Sequence, residues 1–502
     1  VSDESDLRDI RVAKLEALKA AGNDPYAVER FDATHTAAQI VSEFEALEEQ
    51  PVVIAGRLLN QRGQGKVIFA DFRDSTGSVQ LFVAFDGLGE EAFESFRRLD
   101  IGDIVGIHGT VFRTRRGEIS VRVAQYTLLA KCLRPLPLGK EYDGGRAFGL
   151  TDIEQRHRMR YVDMLVNPEV RDTLVKRCRV VQATRRFLDA RGFLEVETPV
   201  LQEEAGGAAA RPFLTHHNAL DHDFKLRISL ELPLKRLIVG GLDRVYEIGR
   251  VFRNEGISPR HNPEFTLMEL YQAYGNLDDM MELVESMYVE VASAVNGSPQ
   301  ITCTDSTGAA VVVDLSKRPW RRLPILDGIE QYGGVHRSEL ETLESAKAAC
   351  ARVGIDPDKE NTVGGIIEKM HELFTQPHLI EPTFVTDFPI ETSPLAKKMP
   401  GNPALTRRFE VYLLCQELGN AFSEINDPID QRERFENQLL QAAAGDAEAH
   451  PMDEDFIRAL EYGMPPTGGL GVGMDRLAMV LTGAPNIREI IFFPLLKPER
   501  HA

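Results

Sequence analysis

The sequence predicts an α+β protein in two parts: a small Greek-key β-barrel, then a larger domain in which strands alternate with helices. Three observations predict it. Residues 51–136 carry five or so short alternating strands separated by glycine-bearing turns. The proline-spaced stretch Leu133-Arg-Pro-Leu-Pro-Leu-Gly139 follows as a stiff linker. From about residue 145 the pattern changes, opening with an amphipathic helix from Val170 to Arg191. The 502 residues, 43% hydrophobic and 27% charged, can bury sizeable cores.

In chain order, residues 1–50 are expected to be helical, with Leu7, Ile10, Val12, Leu15 and Leu18 at mostly helical spacing before Gly22 and Pro25. Arg8, Arg11, Lys14 and Lys19 share that helix, as a solvated charged face in the first reading and an RNA-contacting one in the second. The strands of 51–136, interrupted by a helix from Glu90 to Leu99, suggest a five-stranded barrel of the OB type. Its twelve basic and nine acidic residues give +3, within a chain of 58 basic and 77 acidic residues and net charge -19. The overall charge excludes a polybasic nucleic-acid coat, while the barrel's small excess is compatible with a polyanion. A linker is expected over 137–150. A second domain is expected over 151–502, with a mostly helical insertion at about 275–400.

Nothing approaches the roughly 20 apolar residues of a membrane helix, and the acidic start Val1-Ser-Asp-Glu-Ser-Asp6 is unlike a targeting peptide. The five cysteines, Cys132, Cys178, Cys303, Cys350 and Cys415, form no CxxC pair and are expected to be free thiols. The expectation is a cytoplasmic protein.

Four segments carry chemistry. The helix ending at Arg191-Gly192, followed by Phe193-Leu-Glu-Val-Glu-Thr-Pro199, reads as a helix–strand unit. Arg244 to Glu255 and His261 to Tyr271 read as a hairpin whose returning strand carries Phe265, Glu269 and Tyr271 on one face. An Arg and a His flanking its loop could bracket a phosphate chain, with Phe offering a flat face to a base. The same pattern also suits an ordinary polar hairpin. Gly468 to Arg476 is a glycine-rich strand that lets a ligand approach the backbone, with Arg476 at the start of a helix. Only 26 residues follow Arg476, too few for a dinucleotide-binding fold. In Arg408 to Asp427, Glu410, Glu417 and Glu424 recur every seven residues, as a helical stripe or as strand–turn–strand with the turn at Gly419-Asn420. Acids on apolar strands need divalent cations or a buried ammonium as partners.

In order, Gly192 to Pro199, Arg253-Asn-Glu255 with His261-Asn-Pro-Glu-Phe265, and Gly469-Leu-Gly-Val-Gly-Met-Asp-Arg476 resemble the three motifs of the class II aminoacyl-tRNA synthetases. A preceding OB barrel resembles the aspartyl, asparaginyl and lysyl subclass. Gly206 to Phe213, Thr215 to Asp221, Arg227-Ile with Glu231-Leu, and Glu417 to Glu424 resemble bacterial lysyl-tRNA synthetases, over nearly the whole chain. The resemblance implies a class II antiparallel-sheet catalytic domain flanked by helices.

It also implies ATP as substrate, Mg²⁺ as cofactor, and L-lysine and tRNA(Lys) as partners. Arg253, Glu255, His261 and Arg476 would be the catalytic groups. Arg253 would hold the α-phosphate and the lysine carboxylate, and His261 the terminal phosphates. Phe265 and Arg476 would sandwich the adenine beside Asn262, and Glu410 and Glu417 would hold Mg²⁺. Gly207 and Glu231 would take the α-ammonium, Asn420 the carboxylate, and Glu269, Tyr271 and Glu424 the ε-ammonium. Arg62, Phe69, Gln80 and Glu118 would meet the anticodon.

In the family it resembles, the motif at Gly192 lies at the dimer interface, so the resemblance implies a homodimer. Leu230 and Pro233 depart from the family's usual Pro and Tyr, and Pro233 is expected to stiffen a strand beside Glu231. Alternatives are an aspartate or asparagine ligase, a paralogue that modifies protein, and a non-catalytic RNA-binding relative.

Overall fold

The computed structural model describes residues 2–142, 145–304, 310–357, 360–443 and 449–499. They form two compact units, Val1–Val166 and Asn167–Ala502. The first begins with helix α1 (Ser2–Ala20). Its basic face is not simply solvated: Arg11 is buried and donates to the Cys132 carbonyl at 2.7 Å, while Leu7 and Ile10 are exposed. The carbonyls left open at a strand end are what a long guanidinium can reach.

Strands β1 (Pro51–Gln64), β2 (Val67–Arg73), β3 (Ser78–Ala84), β4 (Ile104–Arg113) and β5 (Ile119–Ala130) close a barrel in the order β1-β2-β3-β5-β4. The OB-type expectation holds. Period-2 alternation turns Ile54, Phe72, Leu81, Val105, Ile107 and Val121 inward with no more than trace exposure. The helix Glu90–Arg97 adds Phe93 and Phe96 to that core. Residues expected to be a plain linker instead include a hairpin, β6 (Leu138–Tyr142) with β7 (Gly145–Gly149).

The second unit opens with α2 (Pro168–Asp189), which Pro168 starts at a helical position where no backbone donor is needed. Then come β8 (Leu194–Glu195), α3 (Glu231–Val239), β9 (Arg244–Phe252), β10 (Glu264–Ala273) and α4 (Leu277–Asn296). Further on are β11 (Arg321–Pro324), β12 (Thr383–Thr386), β13 (Arg408–Leu413), β14 (Gln416–Ser423), β15 (Thr467–Gly473) and α5 (Met474–Thr482). The central sheet runs β11-β12-β13-β14-β15-β10-β9-β8. Its six inner strands are antiparallel, and β11 and β8 pair in parallel at the edges. One face meets α2, α4 and α5 in the main core, with Tyr288, Trp320, Phe384 and Phe409 buried together. The other face carries the candidate site.

Four local expectations are corrected. The strand expected over 193–199 is only Leu194–Glu195: Val196 N–H still donates to the Tyr246 carbonyl at 2.9 Å, but two residues on Thr198 N–H turns to the Glu247 side chain at 3.0 Å. The strand expected beside Glu231 is the first turn of α3, so Pro233 costs no hydrogen bond there. The turn between β13 and β14 lies at Leu414-Cys415, both at positive φ (52° and 59°), not at Gly419-Asn420. Gly419 is inside β14, where a β-carbon would sit 2.8 Å from the Gly471 carbonyl of the neighbouring strand. Finally, 275–400 is not all insertion: α4 is a core helix and β11 and β12 extend the central sheet.

Cys132, Cys178 and Cys350 are free thiols, Cys415 donates from Sγ to the Pro377 carbonyl at 3.1 Å, and the Cys303 side chain lies outside the described residues. Among the described residues no helix is long and apolar enough to cross a membrane.

Candidate active site

Strand alternation builds the floor of the site. On β10, Met268 and Leu270 enter the core while Glu269 and Tyr271 face the other way. On β13, Phe409 and Val411 are core residues, and Arg408 and Glu410 lie on the site side. Strand β15 brings Gly469 and Gly471 to the middle of this floor. A β-carbon at 469 would overlap Glu424 Oε1 and lie 2.6 Å from the Tyr271 ring, so only glycine leaves the acid its place.

The structure brings together Gly207, Glu231, Arg253, Glu255, His261, Asn262, Phe265, Glu269, Tyr271, Glu410, Glu417, Asn420, Glu424 and Arg476. All of them line one cavity of about 420 Å³. A wider recess of about 1040 Å³ shares His261, Glu410, Glu417 and Arg476 with it.

One part of the cavity is cationic and aromatic. Arg476, in the first turn of α5, donates from Nη1 to Glu417 at 3.0 Å, and its Nη2 lies 3.2 Å from His261 Nε2. Desolvation and the Arg476 charge push His261 below the usual imidazole range. The Arg253 guanidinium carbon lies 5.1 Å from the Phe265 ring centre, and Arg253 Nε donates to the Ile228 carbonyl at 3.3 Å. Asn262 donates to the Glu264 carbonyl at 2.7 Å, while its buried Oδ1 has no partner.

Glu410 accepts from Arg408 and from Tyr412, each at 2.6 Å. Burial, then the Glu417 charge, pushes its carboxyl up to about 7. Asn420 Oδ1 accepts from Arg408 Nε at 3.1 Å.

The other part is acidic. Glu231, Glu269 and Glu424 are all nearly inaccessible. Glu269 accepts the Leu230 N–H at 2.9 Å and the Tyr271 hydroxyl at 3.0 Å. Burial, then the Glu231 charge, pushes it up to about 7. Burial holds Glu424 well above the carboxylate range, partly opposed by Lys235. Lys235, absent from the sequence-derived site, is ion-paired with Glu231 and Glu424. Its signal was the i,i+4 spacing from Glu231, readable only once that segment is known to be a helix. Arg408 and Asp475 also line the cavity and were missed.

On the barrel, Arg62 on β1 pairs in register with Phe69 on β2, and Gln80 on β3 with Ser120 on β5. Ser120 donates to Gln80 at 3.1 Å, Arg62 lies 3.5 Å from Asp71, and Glu118 is exposed just before β5. Phe69, Phe82 and Phe112 form a row with ring centres 5.4 and 5.5 Å apart, and Arg122 lies 4.5 Å over Phe112. Phe82 and Phe112 were not singled out from sequence. The signal for Phe82 is its i,i+2 spacing from Gln80 on one strand face.

A family model described as tRNA synthetases class II (D, K and N) matches residues 152–497. One described as OB-fold nucleic acid binding domain matches residues 52–129. The chain is 52% identical over 496 residues to a lysine–tRNA ligase of Moorella thermoacetica, covering 99% of each chain. It is 50% identical to lysine–tRNA ligases of Thermoanaerobacter pseudethanolicus (99% of this chain, 97% of the relative) and Pelotomaculum thermopropionicum (99% and 96%). A match across well over half of the sequence, together with half-identical relatives along its full length, places the chain among the class II tRNA synthetases of the D, K and N group.

Proposed function

We infer that this protein joins L-lysine to tRNA(Lys), using ATP and passing through lysyl-adenylate. The observation that carries the reading is the cluster of three buried carboxylates, Glu231, Glu269 and Glu424, in the same cavity as Arg253, His261, Phe265 and Arg476. Buried acids need cationic partners, and lysine brings two ammonium groups. An aspartate or asparagine side chain would leave these acids unmatched.

In this reading Arg253 neutralises the α-phosphate and the lysine carboxylate as they approach. Phe265 and Arg476 flank the adenine, and Asn262 Oδ1 is open to a donor from it. His261 meets the terminal phosphates. A carboxylate oxygen of lysine attacks the α-phosphorus, and the bond to the β-phosphate oxygen breaks, releasing pyrophosphate. The 3′-hydroxyl of the terminal tRNA ribose then attacks the lysyl carbonyl, and AMP leaves. The protein contributes positioning and charge rather than a covalent nucleophile.

Glu410 and Glu417 fit Mg²⁺: the charge of one raises the carboxyl of the other, a repulsion that a divalent cation relieves. When bound, Mg²⁺ neutralises phosphate charge. Arg62, Phe69, Gln80 and Glu118 are assigned to the anticodon, a single-stranded target suited to the barrel's aromatic row. The assembly proposed is a cytoplasmic homodimer. A sedimenting particle at twice 56.1 kDa supports the dimer, and one at 56.1 kDa overturns it.

The test is ATP–pyrophosphate exchange with each of the twenty amino acids, followed by charging of tRNA(Lys). Exchange with lysine alone supports the reading. Exchange with a different amino acid, or none, overturns it.

A further inference from the structure

The acidic end of the cavity holds an internal cation. Lys235 has no exposed side-chain surface, and its ammonium is ion-paired with Glu231, one helical turn back on α3, and with Glu424, just beyond β14. The rings of Phe422, Tyr271 and Phe456 lie 5.3, 5.9 and 5.9 Å from Nζ, so water is replaced by aromatic faces. Both acids line the cavity, whereas Lys235 does not, so its charge reaches the ligand space through them. Glu424 Oε1 is buried with no hydrogen-bond partner, beside the gap that Gly469 leaves. A buried carboxylate oxygen in that state is costly unless a ligand donor completes it.

We propose that Lys235 is a specificity-determining counter-ion: it cancels one of the three carboxylate charges, leaving a deficit of two, the number of ammonium groups on free lysine. The proposal deepens the lysine-activation reading and rests on it. Without Lys235 the pocket would carry one acid more than lysine can pair. With it, an amino acid bearing only an α-ammonium leaves one carboxylate buried and unmatched. Lys235 acts through Glu231 and Glu424 and does not touch substrate, so it is a positioning residue.

The charged and titratable groups around it are Glu231 on its own helix, Glu269 and Tyr271 on β10, Glu424 beyond β14, and Arg408 on β13, which acts on Glu231. Burial and mutual repulsion raise the carboxyls of Glu269 and Glu424 when lysine is absent.

The experiment uses the full chain. Wild-type exchange with lysine comes first; its absence would sink the functional reading, not this proposal. Lys235→Met is then expected to raise the lysine KM at least ~10-fold, with ATP KM and kcat at saturating lysine within about 2-fold of wild type. In the charge-balanced double variant with Glu424→Gln, the two single effects should not multiply. An unchanged lysine KM, multiplying effects, or parallel losses in ATP KM and kcat would overturn the proposal. If Lys235→Met alone does not fold, the charge-balanced double variant with Glu424→Gln decides: a lysine KM raised no further than in Glu424→Gln alone supports the counter-ion, and one raised at least a further ~10-fold overturns it.

Discussion

Asp475 accepts the backbone N–H of Thr266 at 2.7 Å, although the two are 209 residues apart. Its other oxygen takes Arg177 Nη2 at 3.1 Å, and the same nitrogen donates to Thr266 Oγ1 at 2.9 Å. One nearly inaccessible carboxylate in the first turn of α5 thus ties α2, β10 and α5 together. β10 and α5 carry residues of the second and third motifs, and α2 leads into the first. Asp475 immediately precedes Arg476, so the knot also sets where that guanidinium points.

Replacing Asp475 with alanine should leave Arg177 without its anion and the Thr266 N–H without its acceptor. The expected loss is about 3 kcal/mol of stability, because one partner of a mostly buried pair is stranded. A thermal or urea melt measures it. A change under about 0.5 kcal/mol would show that the knot does not hold the motifs together.

Gly469→Ala tests the acidic end without altering any charge. The added methyl group would overlap Glu424 Oε1 and crowd Tyr271, forcing the acid to move. Steady-state exchange should show lysine KM raised ~10-fold or more, with ATP KM nearly unchanged. Equal damage to both constants would mean that β15 had shifted as a whole.

Lysine binding should strengthen with pH. Glu269 is raised to about 7, mainly by burial, and only its ionised form pairs with an ammonium. At saturating ATP and Mg²⁺, which also keeps the Glu410 titration out of the readout, lysine KM should fall roughly 10-fold from pH 6 to pH 8. The stability effect has the opposite sign. A carboxyl raised on folding makes the folded state bind more protons, so the lysine-free protein loses stability as pH rises from 4.5 through about 7. Added lysine should raise Tm more at pH 8 than at pH 6. A flat KM profile would remove Glu269 from the pocket.

Phe69→Ala should separate the two chemical steps. Loss of a base-stacking ring from the barrel predicts a rise in tRNA KM of about 10-fold, since stacking contributes about 1–3 kcal/mol per base. Lysine-dependent pyrophosphate exchange, which needs no tRNA, should stay at the wild-type rate. Unchanged charging kinetics would take Phe69 out of the anticodon face.

Features that depend on nearest neighbours along the chain were readable from sequence alone. Period-2 alternation gave Glu269 and Tyr271 one face of β10, and glycine-separated strands announced the barrel. The three motifs, recognisable together, group Arg253, His261, Phe265 and Arg476 in one set, and all four line one cavity. Where a residue's partner is remote, the local pattern misled. Gly419-Asn420 has turn composition, yet Gly419 serves a close approach to Gly471 on β15, and the chain turns at Leu414-Cys415. Pro233 suggested a stiffened strand, yet tertiary packing starts a helix at Glu231, and that helix carries Lys235 back to Glu231 and across to Glu424. Arg11 looked solvated until the Cys132 carbonyl came within 2.7 Å. Propensity and spacing act over a few residues, whereas burial, and with it the charge state of Glu269, Glu424 and Lys235, is decided by which distant segments exclude water from them.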